Sequence, residues 1–193
     1  MTASSTRCCR RLELLSALLA LWFVVFAATG AQAQGIEVRR ASLQNADDGY
    51  VLEADFDIVL THTLDEALNK GVPLYFQLEF ELIRPRWYWF NDKLAGSVQD
   101  YRLAFNPLTR QYRLGVGRLH QNFATLAEAI NVMSHIRRRE DIPAGALRKD
   151  NTYVGAVRLR LDTSQLPKPF QVNALGSREW QLSSDWYRWT INP

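Results

Sequence analysis

Cysteine is almost missing from this chain: Cys8 and Cys9 are the only two among 193 residues. Both fall within residues 1–33, so residues 34–193 contain no thiol. That excludes disulfides, thiolate catalysis and cysteine-bound zinc from this region, which must be held by packing alone. Histidine is scarce as well. His62, His120 and His135 stand alone, and no two have the spacing of a metal-binding pair. No Gly-x-Ser-x-Gly elbow occurs. Gly115-Val116-Gly117 lacks the third glycine of a nucleotide fingerprint and reads as a strand bend. Ser183, Ser184 and Asp185 can be combined with a histidine into a triad on paper, but almost any domain allows that, and all three histidines are read as structural. Beyond residue 33 no stretch is long and apolar enough to span a bilayer.

The first 33 residues carry a different pattern. Arg7, Arg10 and Arg11 precede an apolar run over residues 12–28, broken by Glu13 and Ser16, and Ala31-Gln32-Ala33 follows with small residues at the positions a signal peptidase reads. This is the three-part layout of a secretory signal peptide, so cleavage after Ala33 and export to the periplasm are expected. The alternative is an uncleaved anchor, which would be the chain's sole membrane contact. Neither cysteine follows the apolar run, which argues against a lipid-anchored cysteine. Removal of the segment takes away three arginines and one glutamate, so the net charge falls from +3 to +1. No basic excess remains to recruit nucleic acid.

Most of residues 34–193 alternate with period two, as strands with one buried and one wet face do. Leu52, Ala54, Phe56, Ile58 and Leu60 alternate with Glu53, Asp55 and Asp57; Phe76, Leu78, Phe80 and Leu82 alternate with Gln77, Glu79 and Glu81. Residues 101–105 and 112–116 repeat the pattern on either side of Asn106-Pro107-Leu108-Thr109-Arg110, which predicts a hairpin. Val157, Leu159 and Leu161 face inward between Arg158 and Arg160, and residues 36–43 and 179–191 read as first and last strands. Two segments predict helices. Thr63 with Glu66 fits a capping box, closed by Gly71 and Pro73. Thr125 with Glu128 fits a second, heading a helix over residues 125–139 whose last turn holds Arg137, Arg138 and Arg139. Those arginines either complement the helix dipole or bind an anion or acidic partner. Leu166-Pro167-Lys168-Pro169 reads as a stiff extended connection.

Arg84-Pro85-Arg86-Trp87-Tyr88-Trp89 is the densest local feature, and Trp186-Tyr187-Arg188-Trp189 echoes it. Two readings stand. The tryptophans form an exposed ledge that stacks on sugars or meets a protein, or they fill a core that has no disulfide. The two segments could also lie side by side. The acidic stripes (Glu53, Asp55, Asp57, Glu79, Glu81) and basic stripes (Arg102, Arg113, Arg158, Arg160) are expected to pair across strands. A calcium site or a hydrolytic carboxylate pair is the sharper reading of the same acids.

Taken together, residues 84–89, the hairpin from Tyr101-Arg102-Leu103 to Tyr112-Arg113-Leu114, and Phe123 before the Leu126 helix resemble the secreted Gram-negative family catalogued as domain of unknown function 4390. The resemblance covers nearly all of residues 34–193. It implies an exported single-domain protein whose gene often lies near that of a two-component sensor kinase. No catalytic residues are defined for that family, so none are carried over.

The expected fold is mainly β: an antiparallel sandwich, immunoglobulin-like in general architecture, with two short helices in its connections. The expected function is a non-enzymatic binding or interaction module without cofactor or metal. Its partner would be an envelope protein or glycan, not nucleic acid, and its surface Arg84, Arg86, Trp87, Tyr88, Trp89, Trp186, Arg188 and Trp189. A carboxylate-dependent envelope hydrolase using Glu79 and Glu81, and a purely structural envelope protein, are the alternatives.

Overall fold

Strands built from alternating apolar residues must bury one face, and two such sheets can bury each other. The computed structural model describes residues 35–47, 49–86 and 92–193, and follows this rule. The expected signal segment, Trp87, Tyr88 and Trp89 lie outside the described residues. In chain order the elements are β1 (Ile36–Ala46), β2 (Gly49–Ile58), α1 (His62–Asn69), β3 (Leu74–Arg84), β4 (Asp92–Asn106), β5 (Gln111–Val116), β6 (Leu119–Phe123), α2 (Leu126–Ser134), β7 (His135–Glu140), β8 (Tyr153–Leu161), α3 (Lys168–Gly176) and β9 (Tyr187–Ile191). One sheet has the order β1-β2-β7 and the other β6-β5-β4-β3-β8-β9, and every pairing is antiparallel.

The inner faces of the two sheets share one core. Leu52, Ala54, Phe56 and Ile58 come from the smaller sheet; Phe76, Leu78, Phe80, Leu82, Val157 and Leu159 come from the larger. Each large apolar side chain removed from water contributes about 1.5–3 kcal/mol. Helix α2 adds Ala129 and Met133, both fully buried. Ser97 on β4 donates to Glu140 on β7 at 2.6 Å, a polar tie from one sheet to the other.

Several helix boundaries differ from those the sequence predicts. Helix α1 is capped by Thr61, whose hydroxyl accepts from the Leu64 amide at 3.3 Å, two residues before the expected cap; Thr63 instead donates to Glu179. Thr125 and Glu128 do form the reciprocal capping box. The helix they start ends at Ser134, and residues 135–140 become β7, with Arg137, Arg138 and Arg139 opposite Glu53, Leu52 and Val51. Backbone pairing with β2 and an Arg137–Glu53 ion pair outweigh continued helix. The Pro167–Pro169 segment is not an extended connection. It opens a third helix, α3, where proline's fixed φ and missing N–H cost nothing in the first turn. The last strand is shorter than expected, because Arg178–Trp180 forms a single 3-10 turn before β9.

Candidate functional site: a cationic groove on the six-stranded sheet

The outer face of the larger sheet divides into a half in which Arg158 and Arg160 are ion-paired and a half whose arginines have no acidic partner among the described residues. In the first, Glu79 lies between two guanidiniums. One oxygen accepts from Arg160 Nε at 2.6 Å and the other from Arg158 Nε at 2.8 Å. Burial alone would raise the Glu79 pKa, but the bonds from Arg160 and Arg158 outweigh it and hold the carboxyl below its ordinary value. Gln77 accepts from Arg160 at 2.5 Å, and the Arg158 guanidinium lies 4.6 Å from the Trp186 ring centre. Glu81 holds Lys93 at 2.7 Å. On the smaller sheet Asp57 pairs with Arg39, and Asp55 with Arg40. The expected cross-strand pairing thus accounts for Arg158 and Arg160 but not for Arg102 and Arg113.

Those two arginines line a groove of about 410 Å³ over β3, β4, β5 and β6. Register sets its geometry. Tyr75, Arg102, Gly115 and His120 stand in one row across the four strands. Gly115 has no side chain, so the row is hollow between Arg102 and His120. Ala104, opposite Arg113, keeps the adjoining row shallow. Arg118 and Leu119 enter from the β5–β6 turn, where Gly117 takes the positive φ that starts a two-residue hairpin. Arg102 rests over the Tyr75 ring at 5.9 Å, and Arg113 Nε donates to Asn122 at 3.1 Å. Among the described residues, Arg102, Arg113 and Arg118 have no acidic partner; Asp100 and Gln165 complete the rim.

Two of the sheet's three strand glycines, Gly115 and Gly155, have different causes. A Cβ on Gly155 would stand 2.5 Å from the Trp189 ring, so that glycine makes room for an aromatic side chain. A Cβ on Gly115 would meet nothing closer than 3.7 Å, and its φ is not positive. Neither crowding nor backbone geometry demands glycine there, although glycine weakens a strand. Its effect is the hollow.

The family described as Domain of unknown function (DUF4390) matches residues 33–190, which takes in every strand and helix above except the last residue of β9. The chain belongs to the DUF4390 family. No curated protein and no solved structure matches it significantly.

In this DUF4390 chain the predicted site residues are dispersed. Arg84 and Arg86 both bind Asp92, at 2.5 and 2.9 Å, which clamps the ends of β3 and β4 and holds the Asp92 carboxyl below its ordinary value. Trp87, Tyr88 and Trp89 lie outside the described residues. Trp189 faces inward, with its ring 6.3 Å from Phe80 and over Gly155. Arg188 is exposed opposite Ala156, and Trp186 is half-buried against Arg158 on the outer face. Trp186 precedes the Phe80–Val157–Tyr187 row, whereas Arg84 follows the Ile83–Val154–Thr190 row, so the two stand toward opposite ends of these strands.

The groove itself escapes sequence reasoning because its row is assembled by the register of four strands. The available signal was a pair of outward arginines without matching acids beside a strand glycine. A second polar cluster is enclosed between the sheets. Glu140 is 3 % exposed, and Arg138 Nε lies 3.6 Å from its Oε1. Burial pushes the Glu140 pKa up, against the Ser97 bond and the Arg138 charge. Arg138 Nη1 and Glu140 Oε1 have no hydrogen-bond partner among the described residues. Among the same residues, no three of His, Asp or Glu gather closely enough to hold a metal ion.

Proposed function

We propose that this chain is an exported, non-enzymatic binding or interaction module of the periplasm, an accessory to an envelope-sensing two-component system, and that it binds through the groove over Gly115. One observation carries the reading: Arg102, Arg113 and Arg118 line a concave surface without acidic partners among the described residues, while Arg158 and Arg160 on the other half of the same face are paired with Glu79. Cations left uncompensated on a hollow are arranged for something from outside. The start of the family match at residue 33, beside Ala31-Gln32-Ala33, supports export. The carboxylates of a hydrolase reading, Glu79 and Glu81, are engaged by Arg158, Arg160 and Lys93, which favours binding over catalysis.

A photo-crosslinking residue at Leu119, which lines the groove and is 80 % exposed, tests the proposal in intact cells. A matched probe at Val172 on α3, 72 % exposed, is the control. The expected result is a discrete envelope adduct from position 119 alone. Equal labelling from both positions, or none from either, would refute it.

A further inference from the structure

Resting on that reading, we infer that the groove binds a phosphorylated sugar. The phosphate sits in the hollow at Gly115 between Arg102, Arg113 and Arg118, and the sugar hydroxyls turn toward Asp100 and Gln165.

The lining charge comes first. Three guanidiniums stand against the single Asp100 carboxylate, an excess that matches a phosphate monoester dianion. Guanidinium forks suit phosphate oxygens because two parallel N–H donors reach two oxygens at once. Two of the three are held in place before any ligand arrives. Arg102 lies against Tyr75, and Arg113 uses its Nε on Asn122 while its two terminal nitrogens remain available. Such preorganisation reduces the ordering cost of binding.

The hollow is the second, independent observation. Gly115 is set between Arg102 and His120, where a side chain would be sterically acceptable and favourable for the strand. A Cβ there would occupy the space in which an anion reaches both walls.

The rim distinguishes the ligand class. A bare anion gains nothing from Asp100, whose carboxylate repels it. A sugar ester places hydroxyl donors beside that carboxylate and the Gln165 amide, while the C–H faces of its ring meet Tyr75, Ala104 and Leu119. The volume of about 410 Å³ is that of a small-molecule site and not of a polyanion track.

Calorimetric titration of the purified full chain provides the test, with glucose 6-phosphate, glucose and inorganic phosphate as separate probes. Phosphatidylcholine vesicles with and without a phosphorylated glycolipid show whether the ester is soluble or a lipid headgroup. Saturable binding of glucose 6-phosphate, or of the glycolipid vesicles, is expected, tighter than either glucose or phosphate alone. Arg113→Gln should weaken it about tenfold, as loss of a charge-assisted bond predicts. Gly115→Val should abolish it while the melting temperature stays at or above that of the wild type. Three results would overturn the inference: no binding of any phosphorylated sugar, binding no tighter than phosphate alone, or full retention in Gly115→Val. If the Leu119 adduct persists and is lost in Gly115→Val while no phosphorylated sugar binds, the ligand class falls and the binding reading stands. If no groove-dependent adduct forms, the binding reading itself falls.

Discussion

Alanine at position 155 should be far more damaging than alanine at position 115, although both glycines lie in strands of one sheet. A Cβ on Gly155 would stand 2.5, 2.6 and 2.9 Å from three atoms of the Trp189 ring. Real Cβ atoms do not approach so closely, and an indole cannot yield by bending, so the ring must leave its place beside Phe80. An aromatic side chain buries roughly 150–250 Å². Losing about 100 Å² of that at ~25 cal/mol per Å² costs about 2.5 kcal/mol. Replacing glycine in a strand returns about 0.5–1 kcal/mol. The net loss is therefore about 2 kcal/mol for Gly155→Ala, a fall in Tm of roughly 4–8 °C for a chain of this size. Gly115→Ala, with its nearest neighbour at 3.7 Å, should be neutral or stabilising. Urea denaturation read by tryptophan fluorescence and by circular dichroism provides the assay. A double-mutant cycle with Trp189→Leu isolates the clash, because Gly155→Ala should cost almost nothing once the indole is gone. A cost for Gly155→Ala below about 0.5 kcal/mol, or the same cost in the Trp189→Leu background, would refute the packing argument.

Three further outcomes follow from the same physics. Glu140 has a folded pKa above its unfolded value, so its contribution to stability is present at low pH and is lost as pH rises from the ordinary glutamate range through the raised value; Glu140→Gln, which can still meet Ser97, should raise the Tm at neutral pH and flatten its pH dependence. Glu79 has the opposite sign, its stabilisation present above the ordinary carboxylate range and lost as pH falls through the depressed value; Glu79→Gln should cost about 2 kcal/mol at neutral pH, the worth of its hydrogen bonds to charged groups, and remove that acid-side loss in thermal melts. Thr125→Ala breaks the α2 capping box and should cost about 1 kcal/mol by chemical denaturation.

The strands β2, β3 and β8 were legible because each has one dry face, which forces strict alternation between Leu52 and Ile58, Phe76 and Leu82, and Val157 and Leu161. Strand β7 was not. Arg138 and Glu140 point inward on it with Ile136, so its polar residues follow no in-out alternation and the preceding α2 cap suggested continued helix. The prolines at 167 and 169 carry two meanings, extended chain or helix start, and tertiary contacts, among them the docking of Phe170 on Trp180 at 5.6 Å, go with the second. The tryptophans sort by a register that depends on where β9 begins: with Tyr187 first, Trp189 turns to the core and Arg188 to solvent. The groove was least legible. Arg102, Gly115 and His120 become neighbours through two separate strand pairings, and no window of the sequence contains that row.

The most direct measurement of the central claim, that the groove over Gly115 is the binding site, is amide chemical-shift mapping by NMR during titration with glucose 6-phosphate. The account predicts that the largest changes fall at Arg102, Arg113, Gly115, Gly117 and His120, and that the amides of Arg84, Trp186 and Arg188 stay still. Changes concentrated at Arg84, Trp186 and Arg188, with Gly115 unmoved, would contradict it.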